Sequence, residues 1–215
     1  MDILKIKLDY YDKKEKEKFK KNSNKTIFDR IESLTGQTIE ISKSEFLTYF
    51  LFKEKNDIDG FRTFHELSLK VPFRQAYIDD YLEFSSGTIK AKHKNHKTDD
   101  VTERLGIALS LCVANKIHDL TEADWKKIKE ERTKTLDYEH ASTGSSYIYV
   151  ESKGSIIENT EKRSLSTAIS SHKSSIVDKK DVRRPPALVK KRDIYYGIIG
   201  AIDHIDENIL KLKIL

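Results

Sequence analysis

Thr135–Lys153 reads TLDYEHASTGSSYIYVESK. Two runs, Thr135 to Ala141 and Tyr147 to Lys153, flank the turn-forming cluster Ser142-Thr143-Gly144-Ser145, so the stretch is predicted to be a β-hairpin. With the turn centred on Gly144, Asp137 falls directly opposite Glu151, their Cα atoms ~4.5–5.5 Å apart. Strand alternation puts Asp137, Glu139, Tyr149, Glu151 and Lys153 on one face and turns Leu136, Ile148 and Val150 to the core. A one-residue slip of the turn would undo this arrangement.

Outward from the hairpin the pattern is α/β. Asp99 or Asp100 caps a helix running to about Ile117, apolar on nearly every side between Leu105 and Ala114 and therefore buried. Gly106 costs about 1 kcal/mol within a helix, which close packing against a neighbour would offset. Thr121, Glu122 and Asp124 predict a second helix, ending near Arg132 and carrying Trp125 as a core anchor. After the hairpin, Leu165, Ala168, Ile169, His172 and Ile176 mark an amphipathic crossover helix. Ile194 to Ile202 is apolar on both faces, as a central parallel strand requires. Ile209 to Leu215 is a last strand, and a chain that stops inside one leaves open whether it is a piece of a longer protein.

The N-terminal half is a mixed, mostly helical extension over residues 1–97. Leu4, Ile6, Leu8 and Tyr10 alternate with Lys5, Lys7 and Asp9 in a half-buried strand. Lys13 to Lys25 is an exposed helix or loop. Helical spacing follows at Ile27, Phe28, Ile31 and Leu34, with Gly36 as C-cap, and again after Ser44 with Phe46, Leu47, Phe50 and Leu51. Pro72 opens a helix with Phe73, Ala76, Tyr77, Tyr81 and Phe84 on its apolar side, ended by Ser85-Ser86-Gly87. Residues 85–98 are polar and basic, so a domain boundary is placed there, and residues 98–215 form the core.

Charged residues make up 35% of the 215-residue chain and hydrophobic ones 37%, yet ten Tyr and nine Phe argue against wholesale disorder. The single Cys, Cys112, excludes a disulfide framework and reads as a buried structural thiol. No apolar run approaches the ~18 residues of a membrane span, and the charged start Met1-Asp2-Ile3-Leu4-Lys5 is no signal peptide. A cytoplasmic protein without membrane contact is expected. Net charge is +5, and its clustering matters more than its size. His172 to Arg192 holds eight Lys or Arg against two Asp, and Lys90 to Lys97 holds four Lys and two His without an acid. Such patches release counterions from a phosphate backbone, although a solvated face is an equally good account of either alone.

Two opposed carboxylates repel by about 4 kcal/mol at ~4 Å and an effective dielectric of ~20. A strand pair would avoid that as packing alone. Lys153 offers one compensating charge and a divalent cation a better one. Mg²⁺ takes carboxylate oxygens, keeps waters and binds phosphate oxygens. Asp137 and Glu151, with the Ser152 carbonyl, are therefore candidate Mg²⁺ ligands, Mn²⁺ being a substitute. Lys153 is the candidate for activating water and stabilising charge on phosphorus. His140, on the opposite face from Asp137, is read as a packing residue, and His93 to His96 as a basic loop.

Asp137 followed by Glu151-Ser152-Lys153 resembles the signature of the PD-(D/E)XK nucleases, the restriction-endonuclease-like superfamily, over roughly residues 98–215. The resemblance implies a core of helix, β-meander, crossover helix and buried strand. It adds Glu103, on the leading helix, to the catalytic group, and it gives His172 and Lys173 contacts to DNA. With Lys179, Lys180, Arg183 and Arg184 these form the expected nucleic-acid-binding segment. It implies a Mg²⁺-dependent endonuclease, a phosphodiester hydrolase acting on DNA or alternatively RNA, in microbial and antiviral defence. The extension would read DNA, bind a partner protein or form a homodimer. The alternative is a binding module for nucleic acid or protein that keeps the fold without cleavage. One element departs from the pattern: no clear strand precedes the one holding Asp137. Either that strand is very short, or the hairpin itself is strands one and two.

Overall fold

A computed structural model describes residues 3–52, 63–92, 99–128, 136–141, 146–157, 194–203 and 210–214. It is a mixed α/β protein. Seven strands form one sheet in the order β2-β1-β9-β8-β7-β6-β5. In chain order these are β1 (Ile3–Tyr10), β2 (Thr38–Ser42), β5 (Lys126–Lys127), β6 (Tyr138–Ala141), β7 (Tyr147–Ile157), β8 (Ile194–Asp203) and β9 (Leu210–Ile214). A separate hairpin joins β3 (Leu82–Ser85) to β4 (Thr88–Ala91). The helices are α1 (Lys13–Asn22), α2 (Lys25–Leu34), α3 (Lys43–Phe52), α4 (Phe64–Ser68), α5 (Gln75–Tyr81) and α6 (Asp99–His118), with a 3₁₀ turn at Val71–Arg74.

β5, β6 and β7 are an antiparallel meander, and β8 lies parallel to β7. The strand before Asp137 is thus very short, two lysines long. β8 is interior, between β7 and β9. The crossover segment expected around Leu165 to Ile176 lies outside the described residues, as does the basic run from His172 to Arg192. β1 alternates as its sequence requires, with Leu4, Ile6, Leu8 and Tyr10 buried and Lys5, Lys7 and Asp9 exposed. It pairs antiparallel with β2 and parallel with β9, so strands from both sides of residue 97 share one sheet. No helix among the described residues is long and apolar enough to cross a membrane.

α6 is the central element. Leu105, Ile107, Ala108, Leu109, Leu111, Cys112, Val113, Ala114 and Ile117 are all buried. On one side its Ser110 hydroxyl donates to the carbonyl of Ile198 in β8 (3.4 Å). On the other, Arg104 donates to the carbonyls of Phe50 and Leu51 at the end of α3. The closest contact is with β7: a Cβ on Gly106 would overlap the backbone at Lys153–Gly154, and one on Gly154 would overlap the carbonyl of Thr102. The helix lies backbone to backbone on the strand, which accounts for a glycine amid good helix formers.

The predicted helix from Thr121 does not form. Asp119 and Glu122 take positive φ, and the Glu122 amide donates to Glu45 Oε1 (3.0 Å). The chain crosses the end of α6 without a helical turn and then enters β5. Glu45, on α3, also accepts from Asn115 (2.5 Å), while Asn115 donates to the Tyr49 hydroxyl and accepts the Trp125 indole N–H. This buried network anchors Trp125, which is fully buried as expected. The helix predicted to reach Phe84 stops at Tyr81; Phe84 lies in β3, and Ser85-Ser86-Gly87 belongs to the β3–β4 turn, Ser86 and Gly87 both at positive φ. Phe73, expected on the apolar side, is 87% exposed. α3 begins at Lys43, and the Ser42 hydroxyl, not Ser44, accepts from the Glu45 amide.

Two outcomes are expected. Gly106→Ala gains about 1 kcal/mol of helix propensity but overpacks the β7 contact at about 1–3 kcal/mol, so its melting temperature should fall; Gly154→Ala should fall further. In Glu45 burial outweighs the hydrogen bonds from Asn115 and Glu122 and raises the carboxyl above its ordinary range. Its contribution is most favourable while the group is protonated, below the unfolded value, and is lost as pH rises through the raised folded one. Glu45→Gln keeps both accepted hydrogen bonds, so thermal melts should show it gaining on wild type from pH 4.5 to 8.

Candidate functional site

Asp137 is held on both sides of its backbone just before β6. Its amide donates to the Val150 carbonyl in β7 (3.2 Å), and its carbonyl accepts from Ile128 after β5 (2.9 Å). The β6–β7 register pairs Tyr138 with Val150, Glu139 with Tyr149 and His140 with Ile148. The register does not extend one step further: the Asp137 amide bonds Val150, already the partner of Tyr138, so the chain bulges there and Asp137 meets Ser152 rather than pairing with Glu151 as a turn at Gly144 predicts.

The carboxylate of Asp137 is clamped rather than loose. Its Oδ2 accepts from both the amide (2.9 Å) and the hydroxyl (3.1 Å) of Ser152. Hydrogen bonds to an ionised acceptor are the stronger kind, and two donors from one residue fix the carboxylate's plane. Ser152 was singled out in the sequence for its carbonyl alone; its amide and hydroxyl are the unforeseen part. Within a strand a residue's N–H and C=O point to the same neighbour. The Ser152 carbonyl therefore points to the side on which Asp137 stands.

Glu151 is fully buried, and the Lys153 ammonium lies 2.8 Å from its Oε1, with the lysine side chain 24% exposed. Desolvating both charges is costly, and the lysine keeps part of its hydration. Glu103 stands on α6 one turn before Gly106, the residue on which the helix meets β7. Its charge and that of Asp137 both act on Tyr138. Burial first, then Asp137, then Glu103 hold the Tyr138 hydroxyl far above its usual range, against Arg104, so it stays a protonated O–H. Sequence reasoning passed over this tyrosine because its position in β6 reads only as core.

The structure thus brings Asp137 to Ser152 and Lys153 to Glu151; Glu103 stands on α6, which packs on the Ser152–Gly154 face of β7, opposite the one that carries the Glu151 and Lys153 side chains. His172, Lys173, Lys179, Lys180, Arg183 and Arg184 lie outside the described residues. Glu139, expected on the strand face of Asp137, lies 3.7 Å from the Lys126 ammonium. His140 packs at a tilt against Trp125 (ring centroids 5.3 Å apart), with Nδ1 3.2 Å from the Asp124 carbonyl. Cys112 is buried, and burial drives its thiol up, away from a nucleophile's range.

Among the described residues no group of three or more His, Cys, Asp or Glu is placed to hold a metal ion. The available donors are two carboxylates and a main-chain carbonyl, all hard oxygens, a set that fits Mg²⁺ completed by water and a phosphate oxygen and does not fit zinc. No family model matches this chain, and no curated protein or solved structure matches it.

The Glu151–Lys153 pair has a signature independent of activity. Lys153→Met strands a buried carboxylate and should cost about 1–3 kcal/mol, below the range for a fully buried pair because the lysine is partly solvated. Adding Glu151→Gln should recover most of the loss. Urea melts of the two single variants and the double variant, read as a cycle, measure the coupling.

Proposed function

We propose that the chain is a metal-dependent nuclease of the PD-(D/E)XK type, cleaving phosphodiester bonds in nucleic acid, with DNA the first substrate to test. The observation that carries the reading is the meeting of Asp137 with the Glu151-Ser152-Lys153 segment of β7, where Ser152 clamps Asp137 and Lys153 lies at Glu151. The order α6, β5-β6-β7 meander and parallel β8 supports a restriction-endonuclease-like core. In this reading α6 is the leading helix that carries Glu103.

Asp137, Glu151 and the Ser152 carbonyl are the residues to hold Mg²⁺, which supplies Lewis-acid polarisation of a phosphoryl oxygen and a lowered pKa for bound water. The protein's own contributions are positional. Ser152 fixes the plane of Asp137, so its carboxylate need not reorganise during reaction. Lys153 brings a cation to the phosphate charge that grows during attack, where preorganised donors act most strongly. Its partial exposure gives a solvent-borne phosphodiester access to the ammonium. The Tyr138 O–H, kept protonated beside Asp137 and Glu103, adds a donor and no further charge.

A second reading draws on the same ion pair. At 2.8 Å the Lys153 ammonium already neutralises Glu151, as it would in a binding module that keeps the fold and does not cut. One experiment separates the two: cleavage of plasmid, single-stranded DNA and RNA, with Mg²⁺ or Mn²⁺ against EDTA. Wild type should cut only with metal, and Lys153→Ala and Asp137→Asn should each lower the rate by ~10²-fold or more. Both variants are first checked for an intact melt. Metal-independent cutting, or cutting unchanged in both variants, defeats the nuclease reading at this site.

A further inference from the structure

Away from the candidate site, a surface groove of about 340 Å³ opens beside the start of β1. It lies between Ile3 and Lys5 of β1, Lys43 at the start of α3, and Phe84, Ser86 and Gly87 of the β3–β4 hairpin. Its lining carries two lysines and no acid. Glu40, at the register position beside Lys5, is not part of it. The Lys43 ammonium lies 4.6 Å from the centroid of the half-buried Phe84 ring, a cation over an aromatic face. The hairpin is held against β1 by the Lys5 amide, which donates to the Gly87 carbonyl (2.7 Å). A Cβ on Gly87, itself at positive φ, would sit 3.3 Å from the Ile3 carbonyl. The wall is therefore a fixed turn rather than a loose loop.

The sheet relates this groove to the candidate site. Lys7 is in register with Lys211, Lys211 with Ala201, and Ala201 with Ser155, two residues beyond Lys153. Residues in register share a face, so Lys5 and Lys7 stand on the same face as Lys153. Lys5 lies three strands over from β7, about 14 Å, and about 13 Å along the strand direction. Lys7, exposed, stands in the interval. Asp9, in register with Lys213, is the acid that β1 places on this face.

We propose that the groove holds one phosphate of a single nucleic-acid strand between Lys5 and Lys43, with the attached sugar or base against Phe84. The strand then passes Lys7 toward Lys153. The volume, at the low end of the ~300–1,000 Å³ of ligand sites, suits one nucleotide unit. An aromatic face beside cations is the usual composition of a single-strand platform. That the ligand is nucleic acid rests on the nuclease reading; that it is a phosphate rests on the groove's own charge.

The test is equilibrium binding in EDTA, where no cleavage is needed, of a fluorescein-labelled single-stranded oligonucleotide across a salt series. A duplex and inorganic phosphate serve as competitors. Lys5→Glu with Lys43→Glu should weaken binding tenfold or more. Lys5→Gln with Lys43→Gln should flatten the log–log salt slope by about 1.4, two contacts at ~0.7 each on a single strand. Lys5→Arg with Lys43→Arg, which keeps the cation over Phe84, should bind like wild type. Unchanged affinity and slope in the charge-removing variants overturns the proposal. So does wild-type protein that binds no oligonucleotide at low salt, or that takes up inorganic phosphate without the strand. The outcomes separate the two readings: binding that depends on Lys5 and Lys43 without any cutting leaves the groove and removes the nuclease. Metal-dependent cutting with unaltered binding in these variants does the reverse.

Discussion

Gly106 of α6 rests on Gly154 of β7 with no side chain between them, and the site follows from that contact. Without a Cβ on either residue the helix backbone comes against the strand at Lys153–Gly154. Glu103 and Thr102 are thereby brought over the end of the Glu151-Ser152-Lys153 segment, one turn back along the helix. Four residues on, Ser110 reaches the Ile198 carbonyl in β8. Pressed so close, α6 is covered on its other sides by α2 and α3: Arg30 of α2 donates to the Lys116 carbonyl, and Arg104 of α6 to the carbonyls ending α3. A buried helix must satisfy its polar groups internally, and Asn115 does so by joining Tyr49, Glu45 and Trp125.

The sheet continues this logic toward the N-terminus. β1 is inserted between β2 and β9, with its apolar alternate residues inward and its lysines outward. Because β9 runs antiparallel to β8 and parallel to β1, the outward positions of β1 are in line with those of β7. One physical pattern, period-two alternation across paired strands, both buries Leu4, Ile6 and Leu8 and carries cationic positions away from the site on a single face. The β3–β4 hairpin closes the far end of that face against β1.

What could be read from the sequence was what local chemistry decides. The pairing of Tyr138 with Val150 and of Glu139 with Tyr149 is the register that a turn read at Gly144 predicts, although at Asp137 the chain departs from it. The all-round apolarity of α6 and the odd glycine within it announced a helix pressed against a neighbour. What could not be read depended on distant partners. Thr121-Glu122 has the composition of a helix start, but the Glu122 amide is taken by Glu45, 77 residues earlier in the chain, and the backbone there turns left-handed. Phe73, Tyr77, Tyr81 and Phe84 keep helical spacing by coincidence, since the chain leaves the helix at Leu82 to build a hairpin whose turn signal, Ser86-Gly87, was read as a helix end. Lys126-Lys127 carries no strand pattern at all and is a strand only because β6 pairs with it. The Ser152 clamp on Asp137 follows from β6 beginning only at Tyr138, a boundary no propensity marks.

The energetics of Glu151 and Lys153 bear on why such a pair stands here. An apolar pair of similar volume at a buried strand position is commonly neutral or stabilising by comparison. β-strand propensity also disfavours both residues against Val or Ile. Stability therefore gives no reason for a carboxylate without exposure at the centre of β7, next to the serine that holds Asp137. Nor does it give a reason for Ser152 to commit two donors to orienting Asp137, when one would satisfy an acceptor at a strand end. β7 instead carries Glu151, Ser152 and Lys153 in succession, the first two buried, with Asp137 held on Ser152. The proposed nuclease chemistry, with oxygen ligands for a hard cation and a cation for a phosphate, would give such a placement a reason.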